Sequence, residues 1–256
     1  MEGAHYMATL KVEGLTKDYG EQKGIFDFNL NMNKKDIVLL LGPNGAGKTT
    51  AIRGILGLTS INAGSVTYDG VKTNEQPTEF LKSVGAMVSA PAYYEYMTGF
   101  ENLKLYGRFY AHVDETRILE VLKLVDLTRA KDKKVEAYST GMKQRLDFAR
   151  AILHQPRLLI LDEPFNGMDI EQKAILKEYL NDRGQDNDQM TIVSSHTIGD
   201  FIDIANRVVI LYDGKCLFEG SIEGINVRGI SLEEHYLATI KAYRNEVSYG
   251  TGQSRT

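Results

Sequence analysis

A single cysteine, Cys216, occurs in 256 residues. This excludes an intramolecular disulfide framework and a cysteine-rich zinc site. Long apolar runs are missing too. Stretches such as Ile37-Val38-Leu39-Leu40-Leu41 and Leu158-Leu159-Ile160-Leu161 fall far short of the roughly 20 mostly apolar residues that a membrane-crossing helix needs. Nor is there a surplus of positive charge, since 30 Lys and Arg face 34 Asp and Glu for a net charge of −4. General nucleic-acid binding draws on clustered cations, so no nucleic-acid partner is expected. The opening residues 1–7 carry no basic stretch leading into an apolar one. They read as an N-terminal extension, with no secretory leader expected. Internal repeats, low-complexity tracts, long coiled coils and basic arms are absent as well. The remainder, 43% hydrophobic and 25% charged, suffices for a sizeable core. A soluble cytoplasmic protein is the expectation.

Three strand-like segments come early, over Thr9–Val12, Ile25–Met32 and Asp36–Leu41. The second alternates, with Phe26, Phe28, Leu30 and Met32 in step, as a strand buried on one face does. The third is continuously apolar, which suits a strand covered on both faces. A glycine-rich turn follows, then a helical pattern with Ile52, Ile55 and Leu56 on one side, closed by Gly57. From about Ser83 to Gln155 the pattern is mostly helical, with helices over Phe100–Ala111, Asp114–Val125 and Gly141–Leu153. Leu158–Leu161 and Thr191–Ser194 return as strands. Asp213-Gly214 is a two-residue hairpin signal between Val208–Tyr212 and Lys215–Phe218. The polar stretch Asn245–Thr256 is expected to fray. Strands separated by helices argue an α/β sheet with a helical insertion.

Gly42-Pro43-Asn44-Gly45-Ala46-Gly47-Lys48-Thr49 matches the phosphate-loop pattern GxxxxGK[ST] in full. Glycines let successive backbone N–H groups turn inward on an anion, and the positive end of the following helix adds to them. Lys48 places a point charge on the β- and γ-phosphates, and Thr49 offers a hydroxyl to Mg²⁺. At average composition such a match arises by chance in about one chain per hundred of this length. A buried strand before the loop and a helix after it supply the context the motif requires. Much later, Leu158–Leu161 delivers Asp162 and Glu163 to the carboxyl end of a buried strand, where ligands bind in open α/β sheets. Asp162 suits the Mg²⁺ shell, and Glu163 suits a general base on the attacking water. Ser139-Thr140-Gly141 opens a helix. Its hydroxyl, free amides and dipole make a second anion site possible, although a serine at a helix start is usually only a cap.

Together these motifs resemble the nucleotide-binding subunit of an ATP-binding cassette (ABC) transporter, from about Leu10 to Leu237. Gly42–Thr50 is similar to Walker A and Leu158–Glu163 to Walker B. Ser139-Thr140-Gly141-Met142-Lys143 is similar to the LSGGQ signature, with Thr140 and Met142 as departures. Asn166-Gly167-Met168-Asp169 is similar to the D-loop, and Ser194-Ser195-His196 to the switch-histidine segment. Tyr19 corresponds to the aromatic that stacks on adenine. The resemblance implies a P-loop NTPase fold with a mixed sheet, N-terminal antiparallel strands and an inserted helical subdomain. It divides the chain into an ATP-binding core (8–82 and 156–237), a helical signature subdomain (83–155) and a C-terminal tail (238–256). It further implies ATP and Mg²⁺, with Tyr19, Gly42, Asn44, Gly45, Ala46, Gly47, Lys48, Thr49 and Thr50 on the nucleotide. Thr49 and Asp162 would hold the metal, and Glu163 and His196 would act in hydrolysis. A second cassette would close head to tail, so that Ser139, Thr140, Gly141 and Met142 complete the partner's pocket, with Asp169 at the junction. A separate transmembrane permease would hold the pair on the inner face of the membrane.

Ser89 stands where the family usually places a glutamine that senses the metal or water. The surrounding Ala90-Pro91-Ala92-Tyr93-Tyr94 and Thr98-Gly99 resemble the bacitracin and lantibiotic exporter branch, where an acid is frequent there. A serine hydroxyl is too short to span a carboxamide's reach, so sensing through Ser89 needs a bridging water. Phe165 replaces a commoner small residue and reads as packing. Asp36 replaces a usual glycine and reads as turn variation. The expected function is an ATPase that powers a permease, with export the expected direction. The alternatives are a non-transport ABC ATPase and a nucleotide-gated module with weak turnover.

Overall fold

The computed structural model describes residues 9–21, 23–88, 93–186 and 188–252, with side chains left aside at 183–186 and 249–252. In chain order the elements are β1 (Thr9–Asp18), β2 (Gly24–Asn33), β3 (Ile37–Leu41), α1 (Lys48–Ile55), β4 (Ala63–Tyr68), β5 (Val71–Lys72), α2 (Pro77–Lys82) and β6 (Val84–Met87). Then come α3 (Gly99–Gly107), α4 (Glu115–Leu124), α5 (Thr140–Ile152), β7 (Leu158–Asp162), α6 (Ile170–Asp186) and β8 (Met190–Ser195). The chain continues through β9 (Arg207–Tyr212), β10 (Lys215–Ser221), α7 (Ile222–Asn226) and α8 (Leu232–Gly252).

Among the described residues the strands form two sheets. One is antiparallel, in the order β2-β1-β4-β5, and the other runs β10-β9-β3-β8-β7-β6. In the second, every pairing is parallel except β10 with β9. The continuously apolar β3 is covered on both faces, as its sequence predicts. Val38 and Leu40 pack with α1 and the antiparallel sheet, through Ile52, Ile55, Phe28 and Leu30. Leu39 and Leu41 point the other way, into a core with Leu146 and Phe148 of α5 and Leu176 of α6. Helix α1 is therefore held between the sheets, and it ends at Gly57, whose φ of +67° suits a glycine after a helix.

Several boundaries differ from the sequence reading. β6, placed by the 83–155 boundary within the helical signature subdomain, pairs in parallel with β7 and belongs to the six-stranded sheet. Its four residues are too few for a period to separate strand from helix. The stretch from Asn245 does not open into frayed chain, because α8 carries it in helix as far as Gly252. Buried Leu232 and Ile240 anchor that helix, and polarity alone missed them. Asp36 is more than turn variation: Oδ2 accepts from the Asn33 amide at 2.9 Å and from Arg207 at 2.7 Å, tying the start of β3 to β9. Phe165 packs as expected, stacked on Phe201 with centroids 4.2 Å apart.

Candidate functional site

Because β3, β7 and β8 run in parallel, their carboxyl ends finish side by side, with Leu41 opposite Ser195 and Asp162 opposite Ser194. Motifs far apart in sequence meet at that edge. After β3 the chain turns through Gly42–Gly47 and enters α1 at Lys48. The turn needs its glycines. Gly45 and Gly47 have φ of +83° and +101°, and a Cβ on Gly47 would lie 2.8 Å from the Gly24 carbonyl oxygen.

Lys48 is 5% exposed, a cation buried in its own loop. Its ammonium donates to the Gly42 carbonyl at 2.6 Å and the Pro43 carbonyl at 3.2 Å, and pairs with Glu163 Oε1 at 3.1 Å. The other carboxylate oxygen of Glu163 lies 2.9 Å from His196 Nδ1. Glu163 also has φ of +50°. A non-glycine residue reaches that region at a cost, and such costs cluster at functional positions.

Thr49 Oγ1 donates to Asp162 Oδ2 at 2.8 Å. The remaining oxygen of Asp162 accepts from Ser194 Oγ at 2.6 Å, while that same hydroxyl accepts the Glu163 amide at 2.9 Å. Ser194 thus fixes both acids at once, from a fully buried position. Sequence reading named it only as part of the switch segment. The available signal was a polar pair ending an otherwise apolar strand. Replacing it with alanine strands the Glu163 amide and removes a partner from Asp162. Ser194→Ala is expected to lower stability by about 1–3 kcal/mol, read from the shift in a urea unfolding midpoint. An unchanged midpoint would show that the hydroxyl does not hold the two acids.

A cleft of about 960 Å³ is lined by the loop, Glu163 and Tyr19, the last 56% exposed. Thr50 and the loop residues Asn44 and Ala46 line it too. The rest of the lining was not foreseen. Asp213, Gly214 and Lys215 form the tip of the β9–β10 hairpin, and Tyr243 and Val247 come from α8. Asp213-Gly214 does make the hairpin its sequence predicts, with φ of +48° and +73°. The Gly214 amide donates to the Ala46 carbonyl at 3.2 Å, and its carbonyl accepts from the Phe26 amide at 2.8 Å. The tip thereby joins the loop to β2.

The signature residues lie elsewhere. Ser139 caps α5, accepting from the Met142 amide at 3.3 Å, and Thr140 begins the helix. A Cβ on Gly141 would lie 2.8 Å from Gln172 Oε1. Gln172 in turn donates from its amide and side chain to Asp169, at 2.9 Å each, so Asp169 caps α6. None of Ser139, Thr140, Gly141, Met142 or Asp169 lines the cleft of its own chain. Ser89 falls outside the described residues.

The ABC transporter family model matches residues 25–166, more than half of the chain. The chain belongs to the ABC transporter family, as one of its ATP-binding, ATP-hydrolysing subunits. It is 38% identical over 215 residues to the uncharacterized ABC transporter ATP-binding protein YdbJ of Bacillus subtilis (strain 168), covering 84% of this chain and 70% of that one. It is 35% identical to the bacitracin transport ATP-binding protein BcrA of Enterococcus faecalis, covering 86% and 71%. Among solved structures, an ATP-binding subunit of an ABC transporter superposes with a TM-score of 0.83 at 28% identity, covering 90% of this chain and 99% of that one. The dimeric bacterial cassette MJ0796 gives 0.74 at 26%, covering 83% and 98%. Like them, this ABC subunit is an α/β ATPase cassette, and no helix among its described residues is long and apolar enough to cross a membrane.

Proposed function

We propose that this subunit hydrolyses ATP in a pocket shared between two cassettes and uses the closure to drive a separate membrane permease. The observation that carries the reading is the convergence of Lys48, Glu163, His196, Thr49 and Asp162 at one sheet edge. The loop amides and Lys48 hold the phosphates, and Lys48 exchanges its carbonyl partners for phosphate oxygens. Glu163 orients the attacking water and takes its proton. His196, beside the same carboxylate, holds Glu163 and faces the γ-phosphate. Thr49 and Asp162 present hard oxygens 2.8 Å apart, which fits a magnesium ion that takes only one or two protein ligands beside phosphate. When bound, magnesium neutralises charge on the β- and γ-phosphates. Tyr19 takes the adenine.

The placement of Ser139 and Gly141 outside their own cleft supports a composite pocket, in which a second cassette brings its α5 start to the γ-phosphate. A dimeric relative of the same fold supports it further. The likeness to a bacitracin transport ATP-binding protein supports export as the direction. The permease then places the subunit on the inner face of the membrane. A pocket completed by a second copy makes activity depend on encounter. Specific phosphate-release activity with Mg²⁺-ATP is therefore expected to rise in proportion to protein concentration in dilute solution. A specific activity independent of concentration would overturn the composite pocket.

A further inference from the structure

We propose that Tyr243 of α8 is a second aromatic contact for the nucleobase in the cleft, in addition to Tyr19. This rests on the reading of the cleft as the ATP site. The argument begins with how α8 is held. Leu232 and Ile240 are buried, and His235 packs edge-on to Phe218 of β10 at 4.3 Å. Tyr243 and Val247 follow Ile240 at helical spacing, so they continue the same face one and two turns on. That face no longer meets protein core there; it borders the cleft, where Val247 is still 47% exposed.

The Tyr243 ring is fixed before any ligand arrives. It meets the Tyr212 ring edge-on at 5.7 Å, and the Lys215 ammonium lies 5.7 Å from its centroid. Arg244 locks the neighbouring turn by donating twice to the Tyr212 hydroxyl, at 3.0 and 2.8 Å. With the cation over one face of the ring, the part of Tyr243 that lines the cleft is left for a planar partner. The phosphate loop lines the same cleft, so a ligand with its phosphates on the loop has Tyr19, Tyr243 and Val247 left for its base. Their aromatic and apolar surfaces match a purine base and not a fourth anionic group.

Calorimetry with two probes in the presence of Mg²⁺ separates base from phosphate. Tyr243→Ala is expected to weaken ATP binding about 10-fold while leaving inorganic tripolyphosphate unchanged, and Tyr243→Phe is expected to retain wild-type affinity for both. Equal losses for the two probes would overturn the proposal, because Tyr243 would then support the loop and not the base. So would an Ala variant that binds ATP as the wild type does. In either of those cases the ATP site itself stands as long as wild-type affinity depends on Lys48. If wild-type protein gives no heat with ATP, the underlying reading of the cleft fails and this inference with it.

Discussion

Glu163→Gln is expected to lower ATP turnover by about 10²–10⁴-fold with little loss of ATP affinity. The substitution keeps the size and shape of the side chain and removes its charge and basicity. In the structure that charge has two partners, the Lys48 ammonium at 3.1 Å and His196 Nδ1 at 2.9 Å. A glutamine keeps one acceptor oxygen for the Lys48 ammonium and can turn its amide N–H toward an unprotonated His196 Nδ1, so the edge of the site keeps its form. What it cannot do is receive a proton from water as the γ-phosphorus is attacked. It also leaves the Lys48 charge less compensated, which favours phosphate. The combination to be measured is a slow single turnover with affinity at or above wild type. Unchanged hydrolysis would mean that another group positions the water.

Lys48→Ala has the opposite signature: binding is lost, not only chemistry. Charged hydrogen bonds contribute about 1.5–3 kcal/mol each, and Lys48 has a cation to offer to two phosphates. Affinity for Mg²⁺-ATP is expected to fall by about 10²-fold or more. The two carbonyls it now holds, Gly42 and Pro43, lose the donor that draws the loop together, and Glu163 loses its counter-charge. Lys48→Met, which keeps the apolar stem, separates the charge from the packing. Calorimetry reads both variants. Micromolar affinity retained in either would remove Lys48 from the phosphate site.

Much of this arrangement is legible from residues alone because its motifs are local. Gly45 and Gly47 must be glycines for reasons of φ and space, and Lys48 and Thr49 follow at a fixed step on α1. The buried strands β3 and β7 announce themselves by continuous apolar runs that end at the chemistry. What the sequence hides is long-range. Nothing in Asp213-Gly214 says that a hairpin tip will bond to Ala46, and nothing near Tyr243 says that α8 will pass a cleft built from the other end of the chain. The cap on α5 also reads as an ordinary helix start. A role in a partner's pocket came from the family resemblance, and its position away from its own cleft is in keeping with that. The role of Ser194 was missed for a different reason, since a polar pair at a strand end does not say which acids its hydroxyls will meet.

The bonds of Gly214 to Ala46 and Phe26 also set an order of events during synthesis. The loop and its helix are made well before the turn that pins them. A nascent polypeptide therefore carries an unpinned loop until the hairpin has emerged.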